Sequence, residues 1–442
     1  MTKTFNIDAI RKDFPILSQC CYLDSAATSH KPTQVIEAIQ KFMTESNGTV
    51  RRGVYELSTK STQAFDQART KVAQFINASK DSEIVFTRGT TEAINLVAYS
   101  FTEWLRLGQH NITKTSEILT SQAPQDDTTT HCHPETEGRQ DPIADDIEIL
   151  ISGLEHHANI VPWQIHSNRI GASLKSIPVL DNGELDLEAY AELISSGKVK
   201  LVAVTALANS TGSIVPVKEI IELAHQNGAA VLVDAAQAAA HQKLDVQDLG
   251  ADFLAFSGHK IYGPTGVGVL YGKEELLNSM PPYHGGGEMI DKVTLTETSF
   301  AKAPYKFEAG TPAIAEVIGL GATIDYLNKI GMDAIANYEN ELYQYALSKC
   351  SEIEGMKILA STENKTGVIS FVFDDIGSYD IGTMMNEYGI AIRTGHHCAQ
   401  PVMQRFGVDS SSRISIAMYN TKEEIDQCFE ALKKTVNLFR SS

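Results

Sequence analysis

The chain has 442 residues, 43% of them hydrophobic, enough for two domains with cores of ordinary size. Its formal net charge of -18 argues against a nucleic-acid partner, because neutralising phosphates takes clusters of Lys and Arg that are missing here. Six scattered cysteines (Cys20, Cys21, Cys132, Cys350, Cys398, Cys428) have neither the CxxC pairing of a zinc site nor the density of a disulfide scaffold. With a polar start from Met1 to Asp8 and no uncharged run long enough to span a bilayer, they predict a cytoplasmic protein with no membrane partner.

Residues 7 to 17 predict a short helix closed before Pro15, and Cys21 to Asp24 a strand opening into Ser25-Ala26-Ala27-Thr28. Helical spacing follows through Ile36, Ile39 and Phe42, and again from Ser61 to Phe75. Glu83 to Thr87 then reads as a strand, turning at Gly89-Thr90-Thr91 into a helix with Ile94, Leu96 and Val97 on its apolar side. Hydroxyls and free N–H groups at such a helix start form an anion site, so Thr90 and Thr91 are candidates to hold a phosphate; a plain threonine N-cap is the simpler alternative.

Residues 109 to 146 break the pattern, with eight acidic and two basic side chains and almost no apolar periodicity. They predict a polar, mobile insertion. His110, His131, Cys132 and His133 within it are too tightly and incompletely spaced for a standard zinc site, and no metal site is predicted. Beyond it, Ile147 to Ser152 leads as a strand into Glu155-His156-His157. Strands at 201–205, 230–234, before Lys260 and at 267–271 then alternate with a helix at 218–227. Alternation of this kind predicts an α/β fold with a largely parallel sheet.

From about Ala313 the grammar changes to a long helical stretch up to Leu347, strands near 367–373, 390–393 and 413–417, and a closing helix opened by the capping-box pair Thr421 and Glu424. The expected organisation is an N-terminal segment (1–30), a large α/β domain (31–297) carrying the insertion at 109–146, and a smaller α+β domain (298–442).

Three features point to one cofactor. Val231-Leu232-Val233-Asp234 is a buried strand ending in a carboxylate, which is costly without a cationic partner. Lys260 follows the apolar run 251–256 and a Ser257-Gly258-His259 turn, where desolvation can lower an amine's pKa and make it a nucleophile. Asp234 for a pyridinium nitrogen, Lys260 for an aldehyde and Thr90-Thr91 for a phosphate together suggest pyridoxal 5'-phosphate.

The runs 88–95 (RGTTEAIN), 155–163 (EHHANIVPW), 233–237 (VDAAQ), 257–266 (SGHKIYGPTG) and 393–401 (RTGHHCAQP) resemble, in order, the cysteine desulfurases of the class V aminotransferase fold, specifically the group II enzymes of SUF iron-sulfur assembly. The resemblance covers nearly the whole chain outside 109–146. It implies a fold-type I pyridoxal-phosphate transferase that converts L-cysteine to L-alanine, as a homodimer serving a SUF-type sulfur-acceptor protein.

Position by position, the resemblance implies that Lys260 bonds the cofactor and moves the Cα proton, that Asp234 holds the pyridinium and that His156 stacks on the ring. Gln237 and Asn209 would bond the phenolic oxygen region, with Thr91, Ser257 and His259 on the phosphate beside Thr90. Thr311 would come from the neighbouring subunit. Arg413, with Arg393 close by, would take the substrate carboxylate, Asn209 standing beside it. Cys398 would be the nucleophile, in an electropositive setting made by Arg393, His396 and His397. Of the pair His156-His157, only His156 is assigned a role. Ala206-Leu207-Ala208-Asn209 keeps the asparagine of the family's His-Val-Ser-Asn but loses its polar neighbours. A selenocysteine lyase and an idle paralogue acting as a sulfur-transfer scaffold are the alternative readings.

Overall fold

A computed structural model describes residues 5–108 and 146–441. The expected insertion lies outside the described residues except for Asp146, as do His110, His131, Cys132 and His133.

Seven strands form the central sheet, in the order Ile84–Thr87, Gly268–Gly272, Phe253–Ser257, Ala230–Asp234, Val199–Thr205, Glu148–Ser152 and Ser173–Ile177. Its inner strands are apolar runs rather than alternating patterns because both faces are covered. Val231 and Val233 join one core with Val202 and Val204, while Ala230 and Leu232 join the other with Leu201 and Ala203. Helices Glu56–Phe75, Val217–Gln226 and Ile314–Ile330 contribute to the first core, and Thr90–Arg106 to the second.

The sheet is parallel with one exception. Gly268–Gly272 runs antiparallel to both of its neighbours, pairing Ser257 with Gly268 on one side and Thr87 with Gly268 on the other. The chain therefore leaves the sheet after Ser257, makes the Lys260 turn and returns at Gly268. A side chain at Gly268 would place its Cβ 2.4 Å from the Gly89 Cα, so the return strand needs glycine where it passes the Gly89 turn. The edge strand Ser173–Ile177 has no counterpart in the sequence reading.

A second sheet, all antiparallel, orders Lys357–Ile358, Val368–Val372, Ser411–Ser415 and Arg393–Gly395. It shares a core with residues of Met332–Cys350, Ser378–Glu387 and Lys422–Ser441. The long helical stretch expected from Ala313 to Leu347 is two helices, broken at Gly331, whose φ of 100° lies in a region that side chains with a Cβ avoid. Thr421 and Glu424 form the expected reciprocal cap, each backbone N–H donating to the other's side chain.

The N-terminal residues form a small sheet of their own that reaches this second sheet through one bridge. Cys21–Tyr22 pairs in parallel with Ile390–Ala391, and Asp24 forms a parallel bridge with Ser415. The helix Ile314–Ile330 packs against Glu56–Phe75 and Thr33–Lys41, so packing crosses the boundary expected at residue 298.

Candidate active site

Parallel strands bring their C-terminal ends to one edge, and a cavity of about 210 Å³ opens there, lined in part by Thr205, Asp234, Ser257 and Lys260. Thr90, Thr91, His156, Asn209, Gln237, His259 and Arg393 also line it, so ten sequence-predicted residues meet in one cavity. Cys398 sits at half-buried depth beside its neighbour His397, which lines the cavity, and Arg393 Nη2 lies 4.0 Å from the Cys398 Sγ.

Burial governs the electrostatics. It pulls the Lys260 ammonium down to about 8, against the attraction of Asp234. Burial likewise pushes the Asp234 carboxyl above its usual range, opposed by the Ala236 N–H and by Lys260. Each is the natural counter-charge of the other. Burial also holds His156 at about 3 and His259 at about 4, with Lys260 adding repulsion to both. His156 is therefore a neutral ring, and its Nδ1 accepts from the Ala158 N–H at 3.0 Å.

At one end of the cavity the helix Thr90–Arg106 points its N-terminus inward. Ser257 Oγ accepts from the Thr90 N–H at 2.8 Å and lies 2.7 Å from Thr90 Oγ1. At the other end Asn209 is a hub. Its Oδ1 accepts from Gln237 Nε2 at 2.8 Å and from Arg413 Nη1 at 3.2 Å, and its Nδ2 donates to the His397 carbonyl at 2.9 Å. Ala206, Leu207 and Ala208 pack into the core, and Leu207 also lines the cavity. The alanines thus occupy apolar positions, and Asn209 is held by Gln237, Arg413 and His397.

Arg413 lies behind this wall, fully buried, with Nη2 donating to Asp24 Oδ1 at 2.9 Å. Thr311 is apart from the Lys260 cavity in the same chain and lines a second cavity of about 550 Å³ with Arg88, Tyr283 and His284.

Asp24, Ala26 and Glu155 are among the site residues that had no role in the sequence reading. Asp24 follows the short apolar run Cys21-Tyr22-Leu23, and a carboxylate after such a run was the available signal, as it was for Asp234. Ala26 lines the cavity and its carbonyl accepts from Gln237 Nε2 at 2.7 Å. Glu155, buried beneath His156, accepts from Thr205 N at 2.8 Å, Asn159 Nδ2 at 2.6 Å and Ser152 Oγ, and burial still pushes it up to about 8.

These groups suit pyridoxal phosphate: a half-buried amine and a buried carboxylate attract one another in one cavity, whose wall also offers a helix N-terminus and hydroxyls for a dianion. The fold and site define a pyridoxal-phosphate enzyme of the α/β class. The chain belongs to the aminotransferase class-V family, whose profile matches residues 21–135 and 136–428, and within it to the cysteine desulfurases. A probable cysteine desulfurase of Halalkalibacterium halodurans is 45% identical over 440 residues, covering 98% of this chain and 99% of that protein. A cysteine desulfurase of an Enterobacter species is 44% identical over 442 residues, covering 98% and 99%. Among solved structures, the S-sulfonic acid form of the Escherichia coli cysteine desulfurase CsdA superposes with a TM-score of 0.83 at 36% identity, covering 99% of this chain and all of that one. The apo cysteine desulfurase of Thermococcus onnurineus gives 0.86 at 34% identity, covering 99% of this chain and all of that one. No helix among the described residues is long and apolar enough to cross a membrane.

Proposed function

We propose that the chain takes L-cysteine, moves its sulfur to Cys398 as a persulfide and releases L-alanine, working as a homodimeric group II (SUF-type) enzyme of the cytoplasm that hands sulfur to an acceptor protein for iron-sulfur assembly. The observation that carries this reading is the shared cavity of Lys260 and Asp234, with the Cys398 loop beside it.

Bound pyridoxal phosphate supplies the electron sink that lets charge develop at the substrate Cα and weakens the Cβ–S bond. Lys260 Nζ holds the cofactor covalently, and with its affinity for protons lowered to about 8 it takes and returns the Cα proton. Asp234 would accept a hydrogen bond from the protonated ring nitrogen, and His156 would stack on the ring. Gln237 and Asn209 would bond the phenolic oxygen region, and Thr90, Thr91, Ser257 and His259 would hold the phosphate, joined by Thr311 of a second subunit. Arg413 and Arg393 grip the substrate carboxylate beside Asn209. The Cys398 thiolate attacks the substrate sulfur: an S–S bond forms, the Cβ–S bond breaks with its electron pair going to Cβ, and Cβ gains a proton to become the methyl of alanine.

In this reading residues 31–297 form the cofactor domain and 298–442 the smaller domain carrying the nucleophile, with the segment 1–30 contributing Asp24 and Ala26. Retention of Lys260, Asp234, Arg413 and Cys398 argues against an idle scaffold.

Incubation with L-cysteine, measuring alanine and sulfane sulfur for wild type, Lys260→Ala and Cys398→Ala, tests the reading. Wild type gives both products and each variant loses them. No visible-range cofactor absorbance in purified wild type would overturn the cofactor sites, and equal alanine output from Cys398→Ala would overturn the persulfide route. Selenocysteine turnover that survives loss of Cys398, with cysteine turnover negligible, would favour a selenocysteine lyase.

A further inference from the structure

His157, set beside His156 in the sequence without a role of its own, reaches across to the nucleophile loop. Its backbone N–H donates to the Cys398 carbonyl at 2.7 Å, and its ring Nε2 accepts from the Gln400 N–H at 3.1 Å. The two bonds span Cys398 to Gln400. Gln400 opens the short helix Gln400–Arg405, so its N–H has no partner within that helix.

The loop needs holding. His397 and Cys398 adopt consecutive left-handed conformations, with φ of 52° and 55°, which residues bearing a Cβ occupy only when their surroundings impose it. On the N-terminal side the restraints are Asn209 Nδ2 to the His397 carbonyl at 2.9 Å, His397 Nε2 with Ser411 Oγ at 2.9 Å, and Cys398 N–H to His396 Nδ1 at 3.1 Å. On the C-terminal side the Ala399 N–H donates to the His396 carbonyl at 2.8 Å, and His157 adds the restraint that comes from outside the loop. It also joins the loop to the segment whose preceding residue lines the Lys260 cavity. Burial and the nearby His396, 5.6 Å away ring to ring, lower the proton affinity of His157, and only a neutral ring can accept from Gln400.

We propose that His157 is a positioning residue for Cys398, fixing the thiol's approach to substrate through its bond to Gln400; this rests on Cys398 being the sulfur-accepting group. A misplaced nucleophile costs rate far more than binding.

The test compares holoenzyme of wild type, His157→Phe and His157→Gln; phenylalanine keeps the ring without the acceptor, and glutamine offers a carbonyl near the Nε2 position. Two quantities are read: amide hydrogen exchange at Gln400, and the single-turnover rate of sulfur transfer from L-cysteine to Cys398, with cofactor absorbance and KM recorded alongside. In His157→Phe the Gln400 amide should exchange at least about tenfold faster. Sulfur transfer should slow by roughly tenfold to a hundredfold with cofactor occupancy and KM unchanged. His157→Gln should recover much of both. Wild-type protection and rate in His157→Phe would overturn the proposal, as would a parallel loss of rate and cofactor occupancy, or a glutamine variant no better than phenylalanine. Wild-type enzyme forming no sulfur adduct on Cys398 would overturn the reading underneath it, while the Gln400 exchange would still report whether His157 holds the loop.

Discussion

Arg413 Nη2 donates to Asp24 Oδ1 at 2.9 Å, joining residues 389 positions apart behind the wall of the Lys260 cavity. The guanidinium is fully buried, whereas Asp24 keeps some contact with solvent. The same arginine donates from Nη1 to the carbonyl and side-chain oxygens of Asn209, so its plane is fixed from two directions.

Asp24→Ala leaves a buried cation without its counter-charge and should lower stability by about 3 kcal/mol, read by denaturant unfolding. Asp24→Asn keeps an oxygen acceptor and should cost less stability. With the guanidinium less firmly oriented, it should raise KM for L-cysteine more than it lowers kcat. Unchanged KM in both variants would show that Arg413 needs no partner to bind substrate.

Alkaline stability reports on Lys260. Its proton affinity is lowered to about 8 in the fold, against 10.5 ordinarily, so across that window the unfolded chain binds more protons and stability rises with pH. Lys306 and Lys365, also lowered to about 8 by burial, act in the same direction. The buried thiols of Cys21 and Cys350, pushed up to about 12, act the other way in both proteins, so the comparison isolates the amine: between pH 8 and 10.5 the stability slope of Lys260→Met should be less positive than that of cofactor-free wild type, the difference approaching at most about 1.4 kcal/mol per pH unit. Equal slopes would contradict the buried amine.

Acid stability reports on the histidines. Burial lowers His156 and His397 to about 3 and His259 to about 4, below the ordinary 6.5. As pH falls from 6.5 toward 4 the unfolded chain takes up protons that the fold refuses, and stability falls. Glu155, raised to about 8, opposes this. The comparison with His397→Gln isolates one group: its thermal midpoint should fall less steeply over that range than the wild type's, and identical slopes would place the loss elsewhere.

Lys260, Asp234 and the Thr90-Thr91 turn are legible in the sequence because each ends a local apolar run or starts a periodic helix, and parallel strands must bring such ends to one edge. The Asp24–Arg413, His157–Gln400 and Asn209–His397 bonds are not. They join residues 389, 243 and 188 positions apart, and no local pattern records which distant carbonyl or guanidinium a side chain will meet. The edge strand Ser173–Ile177 escaped for a different reason: it is mostly polar and largely unburied, so it carries little apolar signal. Gly331 passes for a tolerated glycine in a helix until its positive φ separates the two helices.

The central claim is that Lys260 and Cys398 act on the same substrate molecule. Intact-protein and peptide mass spectrometry after one turnover with L-cysteine tests it most directly. The account predicts one added sulfur atom on the peptide containing Cys398 in wild type, appearing with the same rate as alanine and absent in Lys260→Ala. Alanine released at the wild-type rate while Cys398 remains an unmodified thiol would contradict it.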